Sequence, residues 1–152
     1  MKYNFDFPIY DESTEDSDNI TALYIRYTEL ESAKESNDID VQYEALKQYC
    51  IDNAVSNPVI FIDDNYMGAD ANRPAYLAML KQLKSGKIKK AIFYSADRIG
   101  RTPSVVINFF KDCQKYNFNF YVVNENFDSK DRKDIDTILS VITNFQKLPK
   151  FS

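Results

Sequence analysis

The sequence predicts an α/β domain, a three-layer sandwich around a mostly parallel sheet of four or five strands. Two observations carry this. Short apolar runs alternate with segments of helical spacing four times between residues 21 and 146. The runs are apolar along their whole length, as in strands covered on both faces, and helices join them, as parallel strands require.

The elements follow in order. Residues 21–27 (Thr-Ala-Leu-Tyr-Ile-Arg-Tyr) read as the first strand. From 40 to about 52, Val41, Ala45, Leu46 and Tyr49 recur at helical spacing. Residues 58–63 form a second, buried strand. A helix from 73 to about 85 has Pro74 in its first turn and Gly86 at its end. A strand at 89–96 leads to a helix at 103–116, which again opens on a proline. A strand at 118–124 and a helix from 131 to about 146, stopped before Pro149, complete the chain. In such folds ligands bind beyond the carboxyl ends of the strands. Those ends carry residues 26–28, Asp63 with Asp64, Asp97 with Arg98, and Glu125.

Composition narrows the chemistry. A chain of 152 residues that is 44% apolar suits one domain with a real core. No apolar run approaches the length of a membrane span, and no secretory signal is visible. Cys50 and Cys113 lack metal-ligand spacing and read as buried thiols, which fits a reducing cytoplasm. There is no histidine. That removes the Ser-His-Asp triad, the Cys-His dyad and every histidine metal site. No motif suggests a cofactor or a metal.

The net charge of −4 is unevenly placed. Residues 1–19 hold one lysine and six acids, and the remainder is nearly balanced, with 18 basic against 17 acidic residues. The first 19 residues therefore read as an acidic, flexible arm, which either stays disordered or covers a basic site or meets a partner. Phe5, Phe7, Ile9 and Tyr10 give it the means to dock on the body. Residues 20–147 form the folded domain and 148–152 a tail.

The most informative stretch is Ser95-Ala96-Asp97-Arg98-Ile99-Gly100-Arg101. It places two arginines three residues apart just past a strand end, on one face if a helix begins there. Alone it is equally a polar loop. Arg26 and Arg73 also flank strand-like segments, and together the arginines make a good phosphate clamp.

Several motifs in the right order resemble the catalytic domain of serine site-specific recombinases, the resolvase/invertase group and the large serine integrases. The resemblance runs from about residue 21 to about 145. Tyr24-Ile25-Arg26-Tyr27-Thr28 matches the opening Tyr-x-Arg-Val-Ser. The helix beginning Asp40-Val41-Gln42 matches the one bearing an active-site glutamine. Asp63-Asp64-Asn65-Tyr66-Met67-Gly68 and then Asn72-Arg73-Pro74-Ala75-Tyr76 match the integrase-type Asp-x-Gly-x-Ser-Gly and Asp-Arg-Pro-Gly-Phe. Leu83-Lys84-Ser85-Gly86-Lys87 matches Leu-x-x-Gly-Lys, and Asp97-Arg98-Ile99-Gly100-Arg101 matches Asp-Arg-Leu-x-Arg.

The resemblance implies metal-free DNA strand exchange through a covalent hydroxyl–phosphate ester within an oligomer. Arg26, Arg73, Arg98 and Arg101 would stabilise the phosphoryl group, Asp97 would orient an arginine, and Gln42 and Asp63 would complete the site. Its partners would be DNA and further copies of the chain. The family's long final helix and DNA-reading domain are not matched within these residues.

The departures open a second reading. The nucleophile position holds Thr28 rather than serine, and its β-branch stiffens the torsion that aims the oxygen. Asn65 and Met67 replace a glycine and a serine, Gln82 replaces a resolvase lysine, and Tyr27 replaces a small residue and is expected to crowd the pocket. The alternative is a recombinase-like protein without chemistry that regulates or joins a true recombinase. In it Ile135, Ile138, Leu139, Ile142 and Phe145 form either an interface or plain core. A third reading makes Asp63-Asp64 an acidic metal pocket of a receiver-like domain.

Overall fold

A computed structural model describes residues 3–14, 19–65 and 73–131. The first strand, β1 (Thr21–Thr28), is a buried interior strand of a five-stranded sheet. It is flanked by β2 (Pro58–Asn65) and β3 (Lys90–Phe93), both parallel to it. β4 (Asn119–Val122) continues the parallel order beyond β3, and the short β5 (Phe127–Asp128) closes that edge antiparallel to β4. The alternation and the parallel sheet are as the sequence implies, and β5 is an addition the pattern did not contain.

Strand periodicity divides the core in two. Leu23, Ile25, Ile60 and Ile92 face α1 (Ile39–Asp52), packing on Tyr43, Leu46 and Cys50. On the opposite face, Tyr24, Phe61 and Phe93 meet α2 (Pro74–Lys84) and α4 (Pro103–Tyr116) through Met79, Leu83 and Phe109. Both of these helices begin on a proline, where a missing N–H costs nothing. At α1 the Asp38 carboxylate accepts the N–H groups of Asp40 and Val41 at 2.9 and 3.1 Å. α4 stops at Asn117, which takes the left-handed conformation with φ 59°.

Two strands are shorter than expected. The one read as 89–96 ends at Phe93, because a short helix, α3 (Ala96–Ile99), winds up immediately after it. The one read as 118–124 is Asn119–Val122. The helix read as 131–146, with its apolar stripe, lies outside the described residues, as do Tyr66 to Asn72.

Residues 3–11 of the acidic arm are a packed strap, with Phe5, Phe7 and Tyr10 docked on the body. Ile60 donates to the Pro8 carbonyl at 2.8 Å, and Tyr10 donates to the Ile60 carbonyl at 2.7 Å. The strap thus pairs with the outer edge of β2, which would otherwise expose its backbone. Aromatic contacts hold it there: Tyr10 stacks on Phe61 at 4.5 Å, and Phe5 lies 4.4 Å from Tyr43. Gln82 donates to the Tyr10 hydroxyl at 2.8 Å and so ties α2 to the strap.

Phe109 is the hub of the larger core, with the rings of Phe93, Phe118 and Phe120 at 5.0–5.4 Å. Phe109→Ala should lower stability by about 3–5 kcal/mol in urea denaturation, through lost burial and the cavity left behind.

Candidate functional site

The site forms where β1 outlasts its neighbour. β1 pairs with β2 as far as Thr28, but with β3 only as far as Tyr24. Beyond that point the backbone of residues 26–28 lacks a strand on its inner side, and buried peptide groups must find partners elsewhere. Two side-chain amides supply them. The Gln42 Oε1 accepts from Arg26 N at 3.1 Å, and its Nε2 donates to the Arg26 carbonyl at 2.8 Å. The Asn37 Oδ1 accepts from Thr28 N at 2.9 Å, and its Nδ2 donates to the Thr28 carbonyl at 2.9 Å. Both amides are completely buried.

The Thr28 side chain is buried too, and its hydroxyl has no hydrogen-bond partner among the described residues. Burying a hydroxyl in that way carries a cost, and such groups call for an explanation.

Arg98 lies beneath, with no exposed surface. Its Nη1 donates to the Arg26 carbonyl at 3.0 Å and to Asn37 Oδ1 at 2.9 Å. Its Nη2 donates to Glu31 Oε1 at 2.7 Å and to Asp97 Oδ2 at 3.3 Å. Asn37 therefore links the Thr28 backbone directly to the Arg98 guanidinium. Asp97 also accepts from the hydroxyls of Ser36, at 2.9 Å, and Ser95. Burial pushes its carboxyl up, but the Arg98 charge and these hydrogen bonds outweigh that and hold it below the usual carboxylate range.

Arg26 is buried and donates from Nη2 to the Asp97 carbonyl at 2.7 Å. Burial, then the charges of Arg98 and Arg73, lower its guanidinium to about 10, with Glu31 acting in the opposite sense. It stays cationic at neutral pH.

Arg73 is fixed by the end of α3. It donates to the carbonyls of Ile99, at 2.7 Å, and Arg98, at 3.1 Å, and its guanidinium lies 3.8 Å from the centre of the Tyr76 ring. Asp63 sets this up. Its carboxylate accepts the N–H groups of Ala75 and Tyr76 at the start of α2, at 2.8 and 2.9 Å, and the Tyr24 hydroxyl at 2.6 Å. Asp63 is thus the anchor of α2 and of Arg73 beside it.

Two sequence expectations are corrected here. Asp63 and Asp64 do not form one acidic pocket, because strand periodicity turns them to opposite faces: Asp63 bonds Tyr24, and Asp64 accepts from the strap's Tyr3. Tyr27 likewise points away from Arg26 and Thr28, so it lines an open groove with Lys34 and Asp64 rather than crowding the site.

Arg98 and Arg101 do not share a helix face either. α3 ends at Ile99, and Gly100 carries the chain across Val105, whose Cγ1 would sit 2.3 Å from an added Cβ. Arg101 comes out partly exposed. What joins the arginines is Glu31, a residue the sequence reading did not single out. Its carboxylate oxygens lie 2.7 Å from Arg98, 3.6 Å from Arg26, 3.7 Å from Arg101 and 3.2 Å from Lys34. Asn37 was missed as well. Neither residue sits in a motif or on a periodic face.

The family described as "Resolvase, N terminal domain" matches residues 21–148. The chain belongs to that family. The fold of this resolvase-family domain is shared with the N-terminal catalytic domain of TP901-1 integrase, at TM-score 0.65 and 20% identity, over 84% of this chain and 96% of that one. A resolvase family site-specific recombinase from Streptococcus pneumoniae aligns at TM-score 0.64 and 21% identity, over 84% and 87% of the two chains. A sequence relative, "Uncharacterized immunity region protein 3" of Bacillus phage phi105, is 34% identical over 64 residues, 42% of this chain and 78% of its own length. The resemblance read from the motifs is therefore right in family and fold.

Arg98→Ala should destabilise the resolvase-family domain by about 3–5 kcal/mol in chemical denaturation, because it strands a buried carboxylate and a buried amide. Arg101→Ala, with a partly exposed side chain, should change stability by no more than about 1 kcal/mol.

Proposed function

We propose that this domain cleaves and rejoins DNA strands by phosphoryl transfer, with the Thr28 hydroxyl as nucleophile. The observation that carries the reading is that hydroxyl: buried, unbonded, and held by its own backbone to the amide that grips Arg98. In the forward step the Thr28 oxygen bonds to phosphorus as the bond from phosphorus to a deoxyribose oxygen breaks. The threonine gives up its proton, and the sugar oxygen leaves as a hydroxyl. The reverse step, from a different strand end, restores threonine and a phosphodiester. Bond energy is kept in the ester throughout.

The arginines would act on the charge that gathers on the phosphate oxygens. Arg26 and Arg101 approach the site from β1 and from the turn after α3, and Arg98 supports them from beneath. Arg73 would add charge from the start of α2. Gln42 and Asn37 are positioning residues, since they act on the backbone of residues 26 and 28. Asp97 and Asp63 orient Arg98 and Arg73 through the contacts given above. DNA phosphates are the substrate class, and further copies of the chain are the expected partners, as the family implies.

A second reading has one observation in its favour. The arginines already hold a carboxylate, Glu31, and position 28 carries the stiffer hydroxyl. On that reading the domain performs no chemistry and regulates or joins an active recombinase. The match to a phage immunity region protein is compatible with either.

The test is a covalent adduct with labelled duplex DNA, resolved on a denaturing gel. The wild-type chain should form it and Thr28→Ala should not. Thr28→Ser should form it roughly 10- to 100-fold faster, by relieving the misplacement that a β-branch imposes. An adduct that survives in Thr28→Ala removes the residue from its role. No adduct in any variant, Thr28→Ser included, supports the second reading.

A further inference from the structure

We infer that the Glu31 carboxylate occupies the seat that a DNA phosphate takes, so that the domain carries its own competing anion. This rests on the phosphate-site reading above and adds the regulation of that site.

Glu31 closes the short 3-10 helix Glu29–Glu31, whose N-cap is Thr28 itself. One such turn spans three residues, so the chain folds back and returns the side chain of residue 31 over the end of β1. There its carboxylate meets four cations from three places: Arg26 on β1, Arg98 and Arg101 in and after α3, and Lys34 just downstream. A carboxylate and a phosphodiester are alike in what such a cluster recognises. Each carries one negative charge and presents two acceptor oxygens to a guanidinium fork.

The grip on this carboxylate is uneven. Oε1 accepts a direct hydrogen bond from Arg98. Oε2 is buried and, among the described residues, accepts no hydrogen bond and has the looser ion pairs at 3.6 and 3.7 Å to Arg26 and Arg101. An acceptor left without a hydrogen-bond donor beside several cations is a poor resting arrangement, and one that a better-fitting oxyanion displaces. The exit is open. Leu30, next to Glu31, is 69% exposed, no side chain caps the turn, and the partly exposed Arg101 forms the rim. Arg98 keeps Asn37, Asp97 and the Arg26 carbonyl when Glu31 leaves, so its buried charge is not abandoned.

The alternative is that Glu31 only neutralises Arg98 and must stay. Calorimetry with inorganic phosphate separates the two, using the whole chain. Glu31→Gln keeps the shape, removes the charge, and should bind phosphate at least about tenfold more tightly than wild type, given the strength of a unit charge at these distances. Glu29→Gln removes an equal charge from an exposed position of the same turn and should change affinity by less than about twofold. Arg101→Ala placed in the Glu31→Gln background should abolish the gain.

Should Glu31→Gln prove unfolded by thermal melting, Glu31→Asp retracts the carboxylate by one methylene and should give a smaller gain with the same loss on Arg101→Ala. Equal phosphate affinity in wild type and Glu31→Gln, lost in both on Arg101→Ala, leaves the phosphate site standing and removes Glu31 from it. An equal gain in Glu29→Gln reduces the effect to general charge and overturns the inference. No phosphate binding by any folded variant overturns it together with the phosphate-site reading.

Discussion

The carboxyl end of β1 must be held in strand geometry with a strand on one side only. Pairing with β3 stops at Tyr24, yet the chain stays extended to Thr28 against β2. Extended backbone that is buried and paired on one side only would leave peptide groups unsatisfied, at about 1–3 kcal/mol each. Gln42 and Asn37 remove that cost by imitating the missing strand, each offering one donor and one acceptor to a single residue. The arrangement leaves room where β3 would have run. α3 and the Arg98 side chain take that room, so the same gap that demands the amides admits the guanidinium.

Charge is then managed by position. Arg98, fully buried, is tolerable because every side of its guanidinium has an acceptor: a carbonyl, an amide oxygen and two carboxylates. Arg73 works mainly through carbonyls at the end of α3, and a guanidinium bound to carbonyls keeps its full charge. Arg26 does the same with the Asp97 carbonyl. These contacts fix the arginines without neutralising them, which suits a site meant to act on an anion. Glu31 and Asp97 are the exceptions, since each supplies a formal negative charge to the cluster. The contacts of Glu31 with Arg26 and Arg101 are the long ones.

Much of this was legible in the sequence, and the boundary is physical. Continuous apolar runs such as Val59-Ile60-Phe61 can only be doubly covered strands, and Pro74 and Pro103 mark helix starts through their missing N–H groups. The arginines stood out because charge at a strand end is rarely core. Asn37 and Glu31 left no such mark. Asn37 acts through one hydrogen-bonded pair with a strand nine residues away, and that geometry has no periodicity. Glu31 lies in a run of acids and polar residues that looks solvated, and only the 3-10 turn brings it inward. The strap's means of docking was legible in Phe5, Phe7 and Tyr10, whose rings do the docking, although the acids of residues 11–18 give the whole segment a solvated average. The separation of Asp63 from Asp64 was available from strand periodicity alone, once β2 was known to run through both.

Thr28 and Glu31 belong to one mechanical unit, and this constrains how the site can change state. The residue that offers a hydroxyl is also the N-cap of the turn that offers the carboxylate. Asn37 pins the Thr28 backbone on both its N–H and its carbonyl, so movement of the turn cannot easily drag the hydroxyl with it. The side chain of Glu31 can therefore leave the arginines by rotation while β1 keeps its register with β2. A cluster of four cations around an empty seat would repel itself, as the lowered Arg26 guanidinium already shows in part. Holding an internal carboxylate until a phosphate arrives keeps the fold stable in the interval, and the cost appears as weaker binding of the phosphate. Stability before binding and affinity on binding are thus opposed through one side chain, and the uneven grip on its two oxygens is where that opposition is visible.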